Sequence, residues 1–127
     1  MTTTRGIEGL LLETHTWGKT VAFWKSLGYE IEFETDHNSG RLRHPAGGPW
    51  LFIAERPPGH VLQVVPGLSV ESAAAFAPPT SGAVKRPFIE EHWGALQMLI
   101  ADPDGREVSI EAPLQNTNAP STPTAST

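Results

Sequence analysis

Large aromatic side chains are the residues of this chain best suited to contact a small molecule. Four tryptophans occur among 127 residues, at positions 17, 24, 50 and 93. An indole that is not buried in the core can stack on a planar ligand. Trp50 and Phe52 alternate with Leu51 and Ile53, and this alternation puts the two pairs on opposite faces of a strand. We expect Trp50 and Phe52 to face a cavity, with Trp93 as a further stacking residue.

Carboxylates at alternate positions form the second group that could act on a ligand. Glu13 lies two residues after Leu11, and Glu111 lies two after Ser109, so each pair is expected on one face of a strand. A carboxylate at the rim of a cavity can orient a polar or cationic ligand group. We assign that role to Glu13 and Glu111. The histidines at positions 15, 37, 44 and 92 lack the spacing of metal ligands and are expected in loops or on the surface.

Several classes of function lack the residues they require. The chain contains no cysteine, which excludes thiolate chemistry, cysteine-bound zinc and a disulfide scaffold. It has no nucleophile elbow, phosphate-binding loop or dinucleotide fingerprint. The formal net charge of −5 disfavours a nucleic-acid partner and mildly favours neutral or cationic ligands. No secretory signal is visible and no apolar run approaches the roughly 20 residues of a membrane span, so we expect a cytoplasmic protein.

Hydrophobic periodicity divides the chain into two halves of nearly equal length, each with the order β-α-β-β-β. The first half has predicted strands at 7–13, 29–33, 41–44 and 50–55 and a helix at 17–27, with Thr16 as N-cap and Gly28 as C-cap. The linker Arg-Pro-Pro-Gly follows at 56–59. The second half has predicted strands at 60–65, 83–87, 94–101 and 106–112 and a short helix at 69–76.

These elements predict one domain over residues 1–114, with modules at about 7–56 and 59–113. Residues 115–127 are rich in Pro, Ser, Thr and Asn, and such a composition cannot bury enough apolar surface to offset the entropy of ordering. We expect this segment to be a mobile tail.

Two motifs resemble those of the vicinal-oxygen-chelate superfamily, which comprises glyoxalases, bleomycin resistance proteins and dioxygenases. Residues 17–30, WGKTVAFWKSLGYE, resemble its helix motif S-x-x-F-Y-x-x-x-L-G-F/Y, and His92-Trp93-Gly94 followed by Asp102-Pro103-Asp104-Gly105 resembles its W-G-x7-D-P-D-G segment. The resemblance covers residues 7–113. It implies an α+β fold in which two β-α-β-β-β modules form a curled sheet, a cup whose open face binds a ligand.

Enzymes of that superfamily hold a divalent metal in the cup, and the resemblance allows each ligand position to be tested. The usual ligands are a His on the first strand, a His on the strand opening the second module and a Glu on the last strand. The first position falls on Gly9, the last on Ser109, and the middle one on Gly59 or His60, depending on register. Glycine offers no donor and neutral serine is a poor ligand for a divalent ion. We therefore expect no metal, no cofactor and no catalytic residue.

A displaced metal site is the alternative. Glu13 and Glu111 share a face with Gly9 and Ser109, so Glu13, His60 and Glu111 could form a shifted triad that supports glyoxalase-type or dioxygenase-type chemistry. This requires two ligands to move by different amounts along different strands and still converge.

The lost ligands favour binding without chemistry, as in the bleomycin-resistance branch of the superfamily. The resemblance implies a homodimer that sequesters a bulky, aromatic antibiotic or natural product and so confers resistance. The predicted ligand-binding residues are Glu13, Trp50, Phe52, His60, Trp93, Ser109 and Glu111.

Overall fold

A computed structural model describes residues 3–79 and 83–114 of the chain. Eight strands and one helix are present in this part. In chain order they are β1 (Ile7–Thr14), α1 (Trp17–Lys25), β2 (Glu30–Glu34), β3 (Ser39–Arg43), β4 (Trp50–Glu55), β5 (Val64–Ser69), β6 (Val84–Glu90), β7 (Ala95–Ala101) and β8 (Glu107–Pro113). The predicted tail at 115–127 lies outside the described residues.

The strands form a single curled, unclosed sheet in the order β2-β3-β4-β1-β5-β8-β7-β6. The halves meet where β1 pairs with β5 in antiparallel register. On either side the same arrangement repeats, because β4 runs parallel to β1 and β8 runs parallel to β5. Each half thus contributes four strands to the cup, and the predicted α+β fold is confirmed.

The outer face of the first half is covered by α1. Val21 of the helix packs on Leu42, Leu51 and Ile53, all buried. The side chain of Thr16, the predicted N-cap, makes no capping hydrogen bond. Instead, the carboxylate of Glu55 accepts the amide N–H of Trp17 at 2.8 Å. The start of a helix is a favourable place for negative charge.

Gly28 follows the helix with φ +101°, a left-handed conformation that glycine adopts at the least cost. The helix itself ends earlier than predicted, at Lys25 with Ser26 as its C-cap, and Gly28 closes the turn that follows. Among the described residues no helix is long and apolar enough to cross a membrane.

The prediction of a second helix at 69–76 is wrong. The chain continues along the sheet through Ser69, and the fully buried Val70 donates its amide N–H to the carbonyl of Glu111 at 2.9 Å. Few residues then remain before Pro78, and so short a segment cannot stabilise a helix by itself. Residues 73–75 form a turn, and Phe76 packs against the second core of Val70, Met98, Ile110 and Ala112.

The strand predicted at 60–65 lies later in the chain, at Val64–Ser69. Pro66-Gly67 is typical of a turn, yet both residues belong to the strand. Pro66, which has no amide N–H, stands just before the β8 ladder begins at Gly67, a position where a proline does not interrupt the pairing. The connection between the two halves is longer than the predicted linker in consequence.

Candidate functional site

Four central strands carry a row of residues side by side across the cup. Trp50 of β4 is in register with Gly9 of β1, and Gly9 with Gly67 of β5. Gly67 is in register with Ser109 of β8. The neighbours of these residues in sequence, such as Leu51 and Ile110, pack in the two outer cores, so the row itself faces the cup. Given the repeated arrangement of the halves, Gly9 matches Gly67, and Trp50 matches Ser109.

The indole of Trp50 fills the space beside both glycines. A Cβ atom added to Gly9 would lie 1.9 Å from Cδ2 of Trp50, and one added to Gly67 would lie 3.0 Å from Cη2. Both separations are shorter than the roughly 3.5–4.0 Å at which carbon atoms make favourable contact. The absence of a side chain at Gly9 is therefore what allows the tryptophan to lie across the floor of the cup.

This row offers no set of ligands for a divalent metal. Gly67, rather than Gly59 or His60, is in register with Gly9 and Ser109, so both candidates for the middle position were wrong. The hydroxyl of Ser109 already accepts a hydrogen bond from Nε2 of Gln97 at 2.8 Å. Two glycines, one neutral hydroxyl and an indole do not fit an ion that prefers carboxylate or imidazole ligands.

Aromatic side chains and an arginine line the first half of the cup. The rings of Phe33 and Phe52 lie 6.1 Å apart, between their centroids. The guanidinium of Arg41 lies over the ring of Trp50 at 4.9 Å and over that of Phe33 at 5.6 Å, within the range of cation–π attraction. These residues form one continuous layer of flat groups.

An open cavity of about 560 Å³ adjoins this layer at the rim of the first half. Its lining comprises Ile7, Glu8, Arg41, Arg43, Gly48, Pro49 and Trp50. Of the seven ligand-binding residues predicted from the sequence, Trp50 is the one that lines this cavity.

Glu13 is held by three hydrogen bonds at the far end of β1. Its carboxylate accepts from Nε of Arg56 at 2.9 Å and from the amide of Gln63 at 3.1 Å, and pairs with Nε2 of His60 at 2.9 Å. The side chain is only 8% exposed. Burial raises the pKa of Glu13, but the hydrogen bonds from Arg56 and His60 and the charge of Arg56 outweigh it and leave the pKa below its ordinary value. The contacts of Glu13 with Arg56, His60 and Gln63 thus tie the connection at 56–63 to the end of β1. This group of contacts is called the Glu13 clamp.

Polar contacts line the second half of the cup. The indole N–H of Trp93 donates to Oε2 of Glu111 at 2.8 Å, and Trp93 is 51% exposed. Arg86 donates to Glu91 at 2.7 Å and to the backbone and side-chain oxygens of Gln97 at 3.0 Å each. The contacts of Arg86 and the bond from Gln97 to Ser109 form a chain of hydrogen bonds, and the bond from Trp93 to Glu111 is separate from it.

The displaced triad is not brought together. Relative to the central row, Glu13 lies toward the end of β1 and Glu111 toward the end of β8. Because β1 and β8 run in opposite directions, the two carboxylates are offset by about 20 Å along the strands, at roughly 3.3 Å per residue. Within residues 3–79 and 83–114, no group of three or more His, Asp or Glu side chains is placed to hold a metal.

The arginines of the site were not predicted from the sequence, although a signal was present. Arg41 and Arg43 flank Leu42, which is fully buried against α1, so alternation would have put both arginines on the face of the cup. Arg56 was included only in a linker. Its contact with Glu13 depends on the path of the connection, which the sequence does not show.

Comparison with solved structures identifies the fold. A glyoxalase/bleomycin resistance protein/dioxygenase superfamily member from Vibrio splendidus 12B01 is 12% identical, with 88% of this chain and 99% of that chain covered and a TM-score of 0.61. A structure described as the NAD-dependent benzaldehyde dehydrogenase from Legionella pneumophila is 14% identical, with 83% and 97% covered and a TM-score of 0.60. The chain thus has the glyoxalase/bleomycin resistance fold that its motifs predicted.

The comparisons go no further than the fold. A bleomycin-binding protein complexed with bleomycin matches at 20% identity over 82% of this chain and 95% of that chain, but its TM-score of 0.35 is too low to support an argument. No protein-family profile and no curated protein matches the sequence. Since this fold accompanies different activities, the function must be argued from the site.

Proposed function

We propose that this protein binds a bulky, aromatic antibiotic or natural product and sequesters it without altering it. The protein would act in the cytoplasm as a homodimer and protect the cell by lowering the concentration of free ligand. Trp50 and Phe52 would provide the main contact surface, with Trp93, Ser109 and Glu111 on the opposite wall and Glu13 with His60 at the end of the cup.

The observation that carries this proposal is the central row. Gly9 and Ser109, the metal-ligand positions that the resemblance implies, lie in one row with Gly67, and the space beside the glycines is filled by the indole of Trp50. A floor of this kind removes the donors that metal-dependent chemistry requires and supplies a flat apolar surface in their place. Binding by stacking is the function that such a surface favours.

The assignment as a homodimer is supported by apolar side chains on both outer strands of the open sheet. Phe33 of β2 is 46% exposed and Ile89 of β6 is 42% exposed. A symmetric partner would remove this surface from water. Light scattering at micromolar concentration would give twice the mass of the chain, whereas the mass of one chain would contradict the dimer.

The proposal is tested by a binding screen with planar aromatic natural products, read by tryptophan quenching. Loss of a central aromatic anchor typically costs roughly 2 kcal/mol, about thirtyfold in affinity, so Trp50→Ala should lower affinity by about that factor. Trp24→Phe is the matched control, because Trp24 packs on the helix side of the sheet. Circular dichroism would show that each variant keeps its fold.

The fate of the ligand is tested separately. Mass spectrometry of ligand recovered after prolonged incubation should show the original compound. A transformed product that accumulates over many turnovers would contradict sequestration, whatever the affinities of the tryptophan variants.

A further inference from the structure

Arg41 stands apart from the other arginines of the cup because its guanidinium donates no hydrogen bond to any of the described residues. Its Nε is buried and has no hydrogen-bond partner, and its ion pair with Glu32 is long, at 3.7 Å. Nε of Arg86 is also unpartnered, but that guanidinium already donates to Glu91 and Gln97. The terminal N–H groups of Arg41 therefore keep their capacity to donate to a ligand, whereas Nη2 of Arg86 is already engaged.

The guanidinium of Arg41 is nevertheless held in a fixed place. It lies over the rings of Trp50 and Phe33, which leaves the N–H groups at its edge as the means of binding a further group. A guanidinium fixed through its faces presents a planar fork of donors, and that fork matches a carboxylate.

A second arginine, Arg43, lies beside Arg41 and is placed to bind the same carboxylate. Arg43 lies two residues after Arg41 on β3, on the same face, and both line the 560 Å³ cavity beside Trp50. The two arginines share one carboxylate, because Nε of Arg43 pairs with Glu32 at 3.2 Å. Glu8 is the acidic residue in the lining; it is exposed, so water screens its charge.

We propose that this cavity is a subsite for a planar aromatic ligand that carries one carboxylate. The aromatic ring contacts the indole of Trp50, and the carboxylate accepts hydrogen bonds from the N–H groups at the edge of Arg41 and from Arg43. This rests on the proposed function, since it names the chemical class of the sequestered ligand. The net charge of −5 by itself favours neutral or cationic ligands. A preference for an anionic ligand would therefore come from the arginines of the cavity.

The test uses three naphthalene probes of the same shape and different charge: 2-naphthoate, 2-naphthamide and 2-naphthylmethylammonium. Affinities are measured by isothermal titration calorimetry with the full chain. Wild type should bind the naphthoate about tenfold more tightly than the amide, as expected for a charge-assisted bidentate contact. The ammonium probe should bind more weakly than the amide.

The variants separate the two arginines from the aromatic surface. Arg41→Gln should abolish the preference for the naphthoate over the amide, while binding of the amide changes less than threefold. Arg43→Gln should reduce the preference and, because it leaves the stacked guanidinium in place, serves as the second variant if Arg41→Gln does not fold. Lys19→Gln removes one positive charge from the exposed side of α1, on the outer face of the sheet; it is the matched control and should leave naphthoate binding unchanged.

The outcomes distinguish the subsite from the proposed function. Equal binding of naphthoate and amide by wild type, or a preference that survives both arginine variants, would overturn the subsite and leave sequestration of a neutral aromatic ligand standing. Failure of all three probes to bind wild type would also overturn the subsite. The natural-product screen and the recovery of unaltered ligand would still decide the proposed function.

Discussion

The two halves of the cup share one arrangement of strands, but different kinds of side chain line them. In the first half the central row carries Trp50, followed by Phe52 and the stacked Arg41. In the second half the matching position carries Ser109, bonded to Gln97. One half is therefore a surface of flat groups and the other is a network of hydrogen bonds.

The difference shows how the fold accommodates a large residue at its centre. The indole of Trp50 extends from its own strand across Gly9 and reaches Gly67, so both glycines lie beside one large ring. Because interiors are packed to high density, the sizes at these positions depend on one another. A change at any of them should have an effect that depends on Trp50.

The largest effect is expected at Gly9. Gly9→Ala should lower the free energy of unfolding by about 1–3 kcal/mol, because the new methyl group overlaps Trp50. In a Trp50→Ala background the same change should become neutral or slightly stabilising, since alanine restricts the unfolded chain. Urea unfolding of the four proteins of this cycle measures both values. An equal cost in the two backgrounds would contradict the conclusion that Trp50 occupies the space beside Gly9.

Gly67 and Gly59 provide graded controls. A Cβ on Gly67 would contact only the far edge of the indole, and one on Gly59 would meet nothing within 4 Å. The cost of Gly67→Ala should therefore be smaller than that of Gly9→Ala, and Gly59→Ala should be near neutral.

The next effect concerns the clamp at Glu13. Glu13→Gln should cost about 1–2 kcal/mol at neutral pH, because the buried carboxylate accepts charge-assisted bonds from Arg56 and His60. The pKa of Glu13 is lowered by folding, so its contribution is complete above its unfolded pKa and is lost as pH falls through the folded value.

The pH dependence distinguishes the clamp from a packing effect. The stability difference between wild type and Glu13→Gln, measured by urea unfolding, should shrink as the pH falls below the ordinary range of a glutamate. The exposed Glu8→Gln is the control and should show almost no difference at any pH. A difference that stays constant into acid would mean that the charge of Glu13 does not stabilise the clamp.

A smaller effect is expected at Ser109. Ser109→Ala removes the acceptor of the Gln97 amide and should cost about 1 kcal/mol. Unlike Gly9→Ala, its cost should be the same with or without Trp50, because the bond belongs to the second half. Strong coupling between Ser109 and Trp50 would show instead that the halves are not independent.

The smallest effect is expected at Glu111. Glu111→Gln keeps an oxygen that can accept from the indole of Trp93, a residue half exposed to water, so the loss of stability should be about 0.5 kcal/mol or less. The emission maximum of Trp93, isolated in a variant with its other tryptophans replaced by phenylalanine, reports the contact. An emission unchanged in Glu111→Ala would contradict it.

Local patterns in the sequence predicted most of the fold and only part of the site. The alternation of Trp50 and Phe52 with two core residues placed a whole strand, and Gly28 marked the turn that follows the helix. The strand predicted at 60–65 stops before Pro66, whereas β5 continues through it to Ser69. The second helix failed because Ser69 belongs to β5 and Val70 bonds to Glu111. Register across the sheet, which aligns Gly9 with Gly67, depends on pairing between segments that are distant in sequence. Neither segment alone therefore predicted it.

Under the proposed function, the floor of the cup is a stacking surface and holds no metal. Elemental analysis tests it most directly, after incubation with zinc, manganese, nickel and iron in separate samples and gel filtration of each. We predict far less than one metal ion per chain in every sample, since the row of Gly9, Gly67, Ser109 and Trp50 supplies no suitable ligands. A near-equimolar content of any of these metals would contradict the claim and favour a metal-dependent enzyme.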